Sequence, residues 1–408
     1  MATAPGNATD PRRPGTEPQS AVERFRRSRR SELAIWWREI DRSLLLLLLV
    51  LMATGTIAVA AGSPASARRL STEAETLHSL HFFFIHLRWQ FLGLMVLLVT
   101  SMMTKDLARR VAILSAAVML GLLFLVPIFG FEVNGARRWL NLGFSLQPSE
   151  FLKSGFVVAT AWMLSWRMRD PSLPVFPISG LFLAIIAVLL MLQPNFGSMM
   201  LFAGAWLVLV VISGVAVRAV FAVCGAGLAV IAAAYLFYEN ARNRIDAFFG
   251  GGAAFDQVDL AQRTLMNGGW GGTGFWLGNR KYSLPEAHTD YVFSVIGEEF
   301  GLIACAIIVL LYLAIITRAT LRLVNEEDMF TVLAGGGLAA MFGGQAFINI
   351  LVNLQLFPSK GMTLPLVSYG GSSTLAICFG MGLLLAITRR NPFLERARLS
   401  LDDLGRTK

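Results

Sequence analysis

The chain has 408 residues, of which 55% are hydrophobic and 15% charged, with a formal net charge of +9. A mean hydropathy of +0.61 is too apolar for an ordinary soluble enzyme, and a membrane class fits instead. The basic residues gather at the ends of apolar runs, so the positive charge points to membrane orientation rather than to nucleic acid.

Residues 1–42 are polar and Pro-containing and include the basic run Arg24, Arg26, Arg27, Arg29 and Arg30, followed by Trp36 and Trp37. This composition predicts a disordered cytoplasmic tail ending in an interfacial anchor. No short apolar stretch precedes a small-residue cleavage site, so the first helix is expected to stay as an anchor. Apolar runs then recur at 43–62, 82–103, 111–128, 149–165, 177–194, 198–215, 220–238, 290–316, 331–356 and 372–388. Each is long enough to cross a bilayer. The pattern predicts an all-α integral membrane protein of about ten transmembrane helices, with one domain over 43–390 and a cytoplasmic tail over 391–408. Cys224, Cys305 and Cys378 each sit inside an apolar run, which provides neither a disulfide framework nor a zinc spacing; they read as packing residues.

With the N-terminus inside, twenty-three of the thirty-five basic residues fall on the cytoplasmic side, as the positive-inside rule requires. An even number of crossings returns the C-terminus to the cytoplasm, beside Arg389, Arg390, Arg396 and Arg398. The outer side then carries one long segment, 239–289, between the seventh and eighth helices, with the Gly-rich stretch Asn267 to Gly274. Its aromatics Phe248, Phe249, Trp270, Phe275 and Trp276 suit a membrane interface, and a structured, partly interfacial loop is expected.

The informative charges are those on the wrong side: Arg137, Arg138, Lys153, Arg242, Arg244, Arg263, Arg280, Lys281 and Lys360. They either pair with nearby acids or lipid phosphates, or they bind something anionic outside the membrane. In Gln147-Pro148-Ser149-Glu150-Phe151-Leu152-Lys153, Pro and Ser start a helix and the two charges lie three apart on one face. A plain intrahelical pair is one reading; because charge in a membrane helix is costly, Lys153 is also a candidate for a phosphate-bearing headgroup.

The segment from Leu284 to Phe293 ends the long loop, and Thr289 or Asp290 there is either a helix cap or, for Asp290, a general base whose pKa is raised by poor solvation. Glu298 and Glu299, about two turns further on, are further acidic candidates. Finally, Phe357 to Ser373 is a Pro/Gly-broken polar segment between two apolar runs, tolerated at membrane depth only where protein buries it or it lines a wet cavity.

At these residues the chain resembles the SEDS family (shape, elongation, division and sporulation) of bacterial membrane glycosyltransferases. The resemblance spans about 43–390 and rests on Asn134-Gly135-Ala136-Arg137-Arg138-Trp139, Gln147-Pro148-Ser149-Glu150, Leu284 to Glu299, and Lys360 to Ser373. The form of Phe357 to Pro365 is closer to the division members than to the elongation members. What the resemblance implies is a ten-helix SEDS fold in the bacterial inner membrane, at the division septum. The implied substrate is lipid II, an undecaprenyl-pyrophosphate disaccharide pentapeptide, polymerised into β-1,4 glycan strands. Asp290 is then the catalytic candidate, and Arg137, Arg138, Glu150, Lys153, His288, Lys360, Ser368 and Tyr369 are the substrate-binding candidates. The implied partners are a class B penicillin-binding transpeptidase and other division proteins, with membrane lipid and no nucleic acid.

No metal ligands stand out in the sequence, although magnesium or manganese would suit the pyrophosphate. One departure from the family is Gln193-Pro194-Asn195-Phe196-Gly197, where the family commonly has Asp at the position of Asn195. A lipid II flippase with the same intramembrane charges, and a non-catalytic scaffold of the division complex, stay open as alternatives.

Overall fold

A computed structural model describes residues 32–72, 76–133, 136–141, 143, 145–168, 170, 172–215, 217–239, 242, 246, 253–358 and 361–390. The N-terminal tail with Arg24 to Arg30, the tail over 391–408, Asn134, Gly135, Arg244, Phe248, Phe249 and Lys360 lie outside the described residues. The chain divides into two units, Met1–Ile40 with Arg390–Lys408, and Asp41–Arg389. In the first, helix α1 (32–39) carries Trp36 and Trp37 with ring centroids 5.8 Å apart.

The second unit runs α2 (Arg42–Leu70), α3 (His81–Ser101), α4 (Lys105–Phe129), strands β1 (Phe131–Val133), β2 (Ala136–Asn141) and β3 (Ser145–Leu146), then α5 (Pro148–Ser165), α6 (Val175–Leu192), α7 (Phe196–Ile212) and α8 (Val217–Phe237). After these come α9 (Ala253–Asn267), a 3-10 turn (Arg280–Ser283), α10 (Val292–Leu323), α11 (Met329–Asn353) and α12 (Gly371–Ile387). Each of the ten expected spans overlaps one of α2–α8 and α10–α12. Six of these, α2, α3, α4, α6, α10 and α11, are long and apolar enough to cross a membrane, and α7 and α12 are shorter apolar helices. Their outward faces carry Ile57, Leu114, Ile128, Leu181 and Leu310, all more than half exposed, the kind of surface that lipid covers.

Helix starts follow local chemistry. Asp41 caps α2 by accepting from Ser43 N at 3.0 Å and Leu44 N at 3.1 Å, while its second oxygen takes Arg318 and Arg322 of α10 at 2.8 and 2.6 Å. Thr104 caps α4, and Pro148 opens α5, where its missing N–H costs no helix bond. Helix α5 is buried almost all round, from Pro148 to Ala161, and packs against α4, α6, α7, α11 and α12. A helix with no solvent face belongs in the core, which places Glu150 and Lys153 there.

The three short strands, not anticipated from the sequence, pair antiparallel in the order β1-β2-β3. The period of two along β2 buries Ala136 and Leu140 and turns Arg137 outward, with Arg138 on the inner side.

The segment after α9 is Gly-rich and folded. Its turn lies on the start of α10: Thr273 N donates to Glu298 O at 2.8 Å, Gly274 N to Glu299 O at 3.0 Å and Leu302 N to Gly269 O at 2.9 Å. Such close approach needs glycine. Gly301 sits at φ +82°, where α10 kinks, and a Cβ there would stand 2.3 Å from Trp270 O. The same segment is held by two carboxylates. Glu298 accepts from Asn267 Nδ2, Arg280 N and Lys281 N at 3.0, 2.7 and 2.9 Å. Glu299 pairs with Lys281 Nζ and accepts from Trp276 N. Glu298 and Glu299, read above as acidic candidates, are thus engaged in holding this turn.

Lys281 and Glu299 have side chains with 0% exposure, so removing one partner strands a buried charge. Lys281→Met is expected to destabilise the folded protein by about 3–5 kcal/mol, and adding Glu299→Gln to recover much of that. Denaturant titration in detergent micelles measures both, and an unaltered midpoint for Lys281→Met would show that the pair does not hold the turn.

Candidate active site

Two broken segments, 284–291 and 361–370, meet at one end of the core. The first is a turn in which Thr289 N and Tyr291 N both donate to Glu286 O, at 3.1 and 3.3 Å. The second folds on itself through Val367 N and Ser368 N, which donate to Leu364 O at 3.1 and 2.9 Å. They are joined by Tyr369 N donating to His288 O at 2.9 Å and by Ser368 Oγ, which donates to Thr289 O at 2.6 Å and accepts from Leu364 N at 2.8 Å. Both rest on α2 at glycines seven residues, or two turns, apart. A Cβ on Gly55 would stand 2.4 Å from Leu366 O, and one on Gly62 would stand 3.3 Å from Ala287 O.

Asp290 follows the first turn and is half-buried. It is not the helix cap considered above, because the cap position of α10 is Tyr291, with no side-chain capping bond. Its main-chain oxygen accepts from Asn349 Nδ2 at 2.9 Å and Asn353 Nδ2 at 3.1 Å. Its carboxylate looks toward Gly361, whose φ of +61° suits glycine: a Cβ there would stand 3.5 Å from Asp290 Oδ2 and 3.8 Å from Arg138 Nη1. A small pocket opens beside it, lined by Asp290, Tyr291, Ile348, Asn349, Val352, Gly361 and Met362.

Arg138 reaches this point from β2. Its guanidinium donates to Gln193 O at 3.2 Å and to Pro194 O. Arg137, on the outer face of the strand, pairs with Glu132 at 3.5 Å, the residue opposite it in the register. Other cations grouped above by side are engaged locally: Arg263 with Asp259 at 2.8 Å, and Arg242 with the carbonyls of Tyr235 and Leu236 at 3.1 and 2.7 Å.

Glu150 and Lys153 form the intrahelical pair at 2.7 Å, with side chains 9% and 5% exposed. Lys153 Nζ also donates to Gln345 Oε1 at 2.8 Å, and Gln345 Nε2 donates to Thr363 O at 3.0 Å. They border a second small pocket, otherwise lined mostly by apolar side chains of α11 and α12 such as Leu338, Phe342, Ile377 and Met381. Glu150 Oε2 has no hydrogen-bond partner among the described residues.

His288 is buried, with its ring 4.3 Å from Phe82 and 5.1 Å from Tyr369. Burial, with a smaller contribution from His86, pushes its pKa down to about 4, and burial holds the Tyr369 phenol above its usual range. Among the described residues no group of three or more His, Cys, Asp or Glu comes together as a metal site.

The amides Gln345, Asn349 and Asn353 were not singled out from the sequence. Their signal was present: three carboxamides four residues apart in an apolar helix share one face, and polar groups in such a helix point inward.

A family model described as cell cycle protein, covering FtsW, RodA and SpoVE, matches residues 41–392. A Caulobacter vibrioides protein named "Probable peptidoglycan glycosyltransferase FtsW" is 32% identical over 375 residues, covering 91% of this chain and 95% of that protein. One of the same name from Trichlorobacter lovleyi is 33% identical over 366 residues, covering 86% and 93%. Among solved structures, a chain of a peptidoglycan synthase complex described as coordinating polymerization and crosslinking matches with a TM-score of 0.71 and 27% identity, over 86% of this chain and 97% of that one. The rod shape determining protein RodA of Thermus thermophilus matches with a TM-score of 0.63 and 26% identity, with the same coverages.

The buried neutral His288 has a consequence for acid stability. Between about pH 6.5 and pH 4 the unfolded state takes up a proton that the folded state does not, so folding stability falls as pH falls through that window. His288→Gln is expected to lose less melting temperature than the parent between about pH 7 and about pH 5. Equal losses in the two proteins would mean that residue 288 does not contribute.

Proposed function

Because the chain belongs to the FtsW, RodA and SpoVE family of cell cycle proteins, we propose that it is a peptidoglycan glycosyltransferase that polymerises lipid II. The reaction takes place at the outer face of the bacterial plasma membrane during septal division. A class B penicillin-binding transpeptidase, acting in the same complex, crosslinks the new strand. The observation that carries the reading is the approach of the Asp290 carboxylate and the Arg138 guanidinium to the same point at Gly361, beside a cavity.

The chemistry needs both signs of charge. The 4-hydroxyl of one GlcNAc attacks C1 of a MurNAc, the hydroxyl proton passes to the Asp290 carboxylate, and the C1–O bonding pair leaves with the lipid pyrophosphate. An α-linked donor giving a β-linked product inverts C1, so a single displacement suffices. Arg138 is placed to stabilise charge on the departing phosphate. Lys153 and Glu150, deeper in the core, together with Arg137, Lys360, His288, Ser368 and Tyr369, complete the proposed substrate contacts. Asp290 is only half-buried, whereas Glu298 and Glu299 are 0% and 1% exposed, and this supports its role over theirs. A base must reach its substrate.

Purified protein with lipid II and the transpeptidase tests the reading. Asp290→Asn is expected to lower polymer formation by about 10²–10⁴-fold, and Lys153→Met to weaken use of the lipid substrate. Full polymerisation by Asp290→Asn would refute the base assignment; lipid flipping lost with polymerisation intact would instead favour a transporter.

A further inference from the structure

Helix α11 presents Gln345, Asn349 and Asn353 along one face, all three buried to 3% exposure or less. Burying a carboxamide in an apolar helix costs free energy unless its bonds are made, and apolar side chains fill most of the rest of α11. Each of the three spends its donors on the segments that form the site. Asn349 Nδ2 donates to Met362 O at 2.6 Å as well as to Asp290 O, so one amide ties together the two broken segments. Asn353 Nδ2 donates to Asp290 O and to Asn349 O, while its oxygen accepts from Ser294 N at 3.1 Å and Ser294 Oγ at 2.7 Å in the first turn of α10. Gln345 takes Lys153 Nζ on its oxygen and donates to Thr363 O.

A plain packing role would not need this pattern. Ser294 alone would satisfy a helix-start role for Asn353, yet both asparagines also converge on a single carbonyl, that of the residue whose carboxylate faces the cavity. Two donors on one carbonyl fix the main chain of Asp290.

We propose that Asn349 and Asn353 are positioning residues for Asp290, and that Gln345, one turn earlier on the same helix face, keeps Lys153 in register with them. The proposal rests on reading Asp290 as the base. Neither asparagine touches substrate; each acts by holding the carboxylate within reach of the attacking hydroxyl.

The test is steady-state polymerisation of lipid II by the full chain with its transpeptidase, comparing Asn349→Leu, Asn353→Leu, Ser294→Ala and Asp290→Asn. Misplacing a reacting group by about 1 Å costs on the order of 10²-fold, so each leucine variant is expected to lose about 10-fold to 100-fold in kcat, with KM for lipid II within about twofold. Ser294→Ala, which removes one bond to Asn353 and none to Asp290, is expected to keep its kcat. If a leucine variant does not fold, Asn349→Ser or Asn353→Ser replaces it, because the shorter hydroxyl does not reach the Asp290 carbonyl.

An unchanged kcat in the asparagine variants beside an inactive Asp290→Asn overturns the positioning role and leaves the base standing. A raised KM at constant kcat overturns it too, in favour of a part in substrate binding. An active Asp290→Asn removes the base reading and the positioning role with it.

Discussion

Irregular backbone inside a membrane bundle survives only if the protein itself satisfies its amides and carbonyls, since hydrocarbon offers no substitute for water. The two segments that carry Asp290 and Gly361 are such backbone. Residues 284–291 and 361–370 interrupt the helical pattern, and their polar groups are met by Ser368, by each other and by the amides of α11. Gly55 and Gly62 let both segments lie directly on α2.

The same constraint separates carboxylates that are near neighbours in sequence. Glu298 and Glu299 sit in the first turns of α10, where every oxygen accepts a bond from the Gly-rich turn or from Lys281. Asp290, eight residues earlier than Glu298, precedes the helix and keeps a half-exposed side chain at a cavity. Burial with full pairing makes a carboxylate a structural anchor; Asp290, less buried and beside a cavity, is the one of the three that the proposed reaction uses as its base. Lys281 follows the first pattern on the cationic side, being paired with Glu299, while Arg138 is oriented by the carbonyls of Gln193 and Pro194 toward Gly361.

Much of this was readable before the coordinates. The helical spans were plain because each is a long apolar run between charged or Gly/Pro-rich segments, and Asp290, Arg138, Glu150 and Lys153 stood out because charge is rare in such a chain. The strands β1–β3 were missed because two to six residues are too few for a period to register. The roles of Glu298, Glu299 and Lys281 were missed because a charge in sequence looks the same whether it is paired or poised. Gln345, Asn349 and Asn353 went unremarked because carboxamides carry no charge, although their spacing of four on an apolar helix was as informative as any ion.

The Gln-Pro-Asn-Phe-Gly turn shows how a departure from the family pattern reads in three dimensions. Gln193 Nε2 donates to Leu123 O at 3.1 Å, the carbonyls of Gln193 and Pro194 receive Arg138, and Asn195 Oδ1 caps α7 by accepting from Ser198 N at 3.4 Å. All of these bonds use amide and carbonyl dipoles. Asp and Asn serve almost equally as helix caps, and the extra charge of Asp adds only a modest interaction with the helix terminus. Asn195 therefore keeps every bond that this turn contributes to holding Arg138. What the substitution changes is the local charge, one unit less negative beside a guanidinium that the proposed reaction uses as a cation.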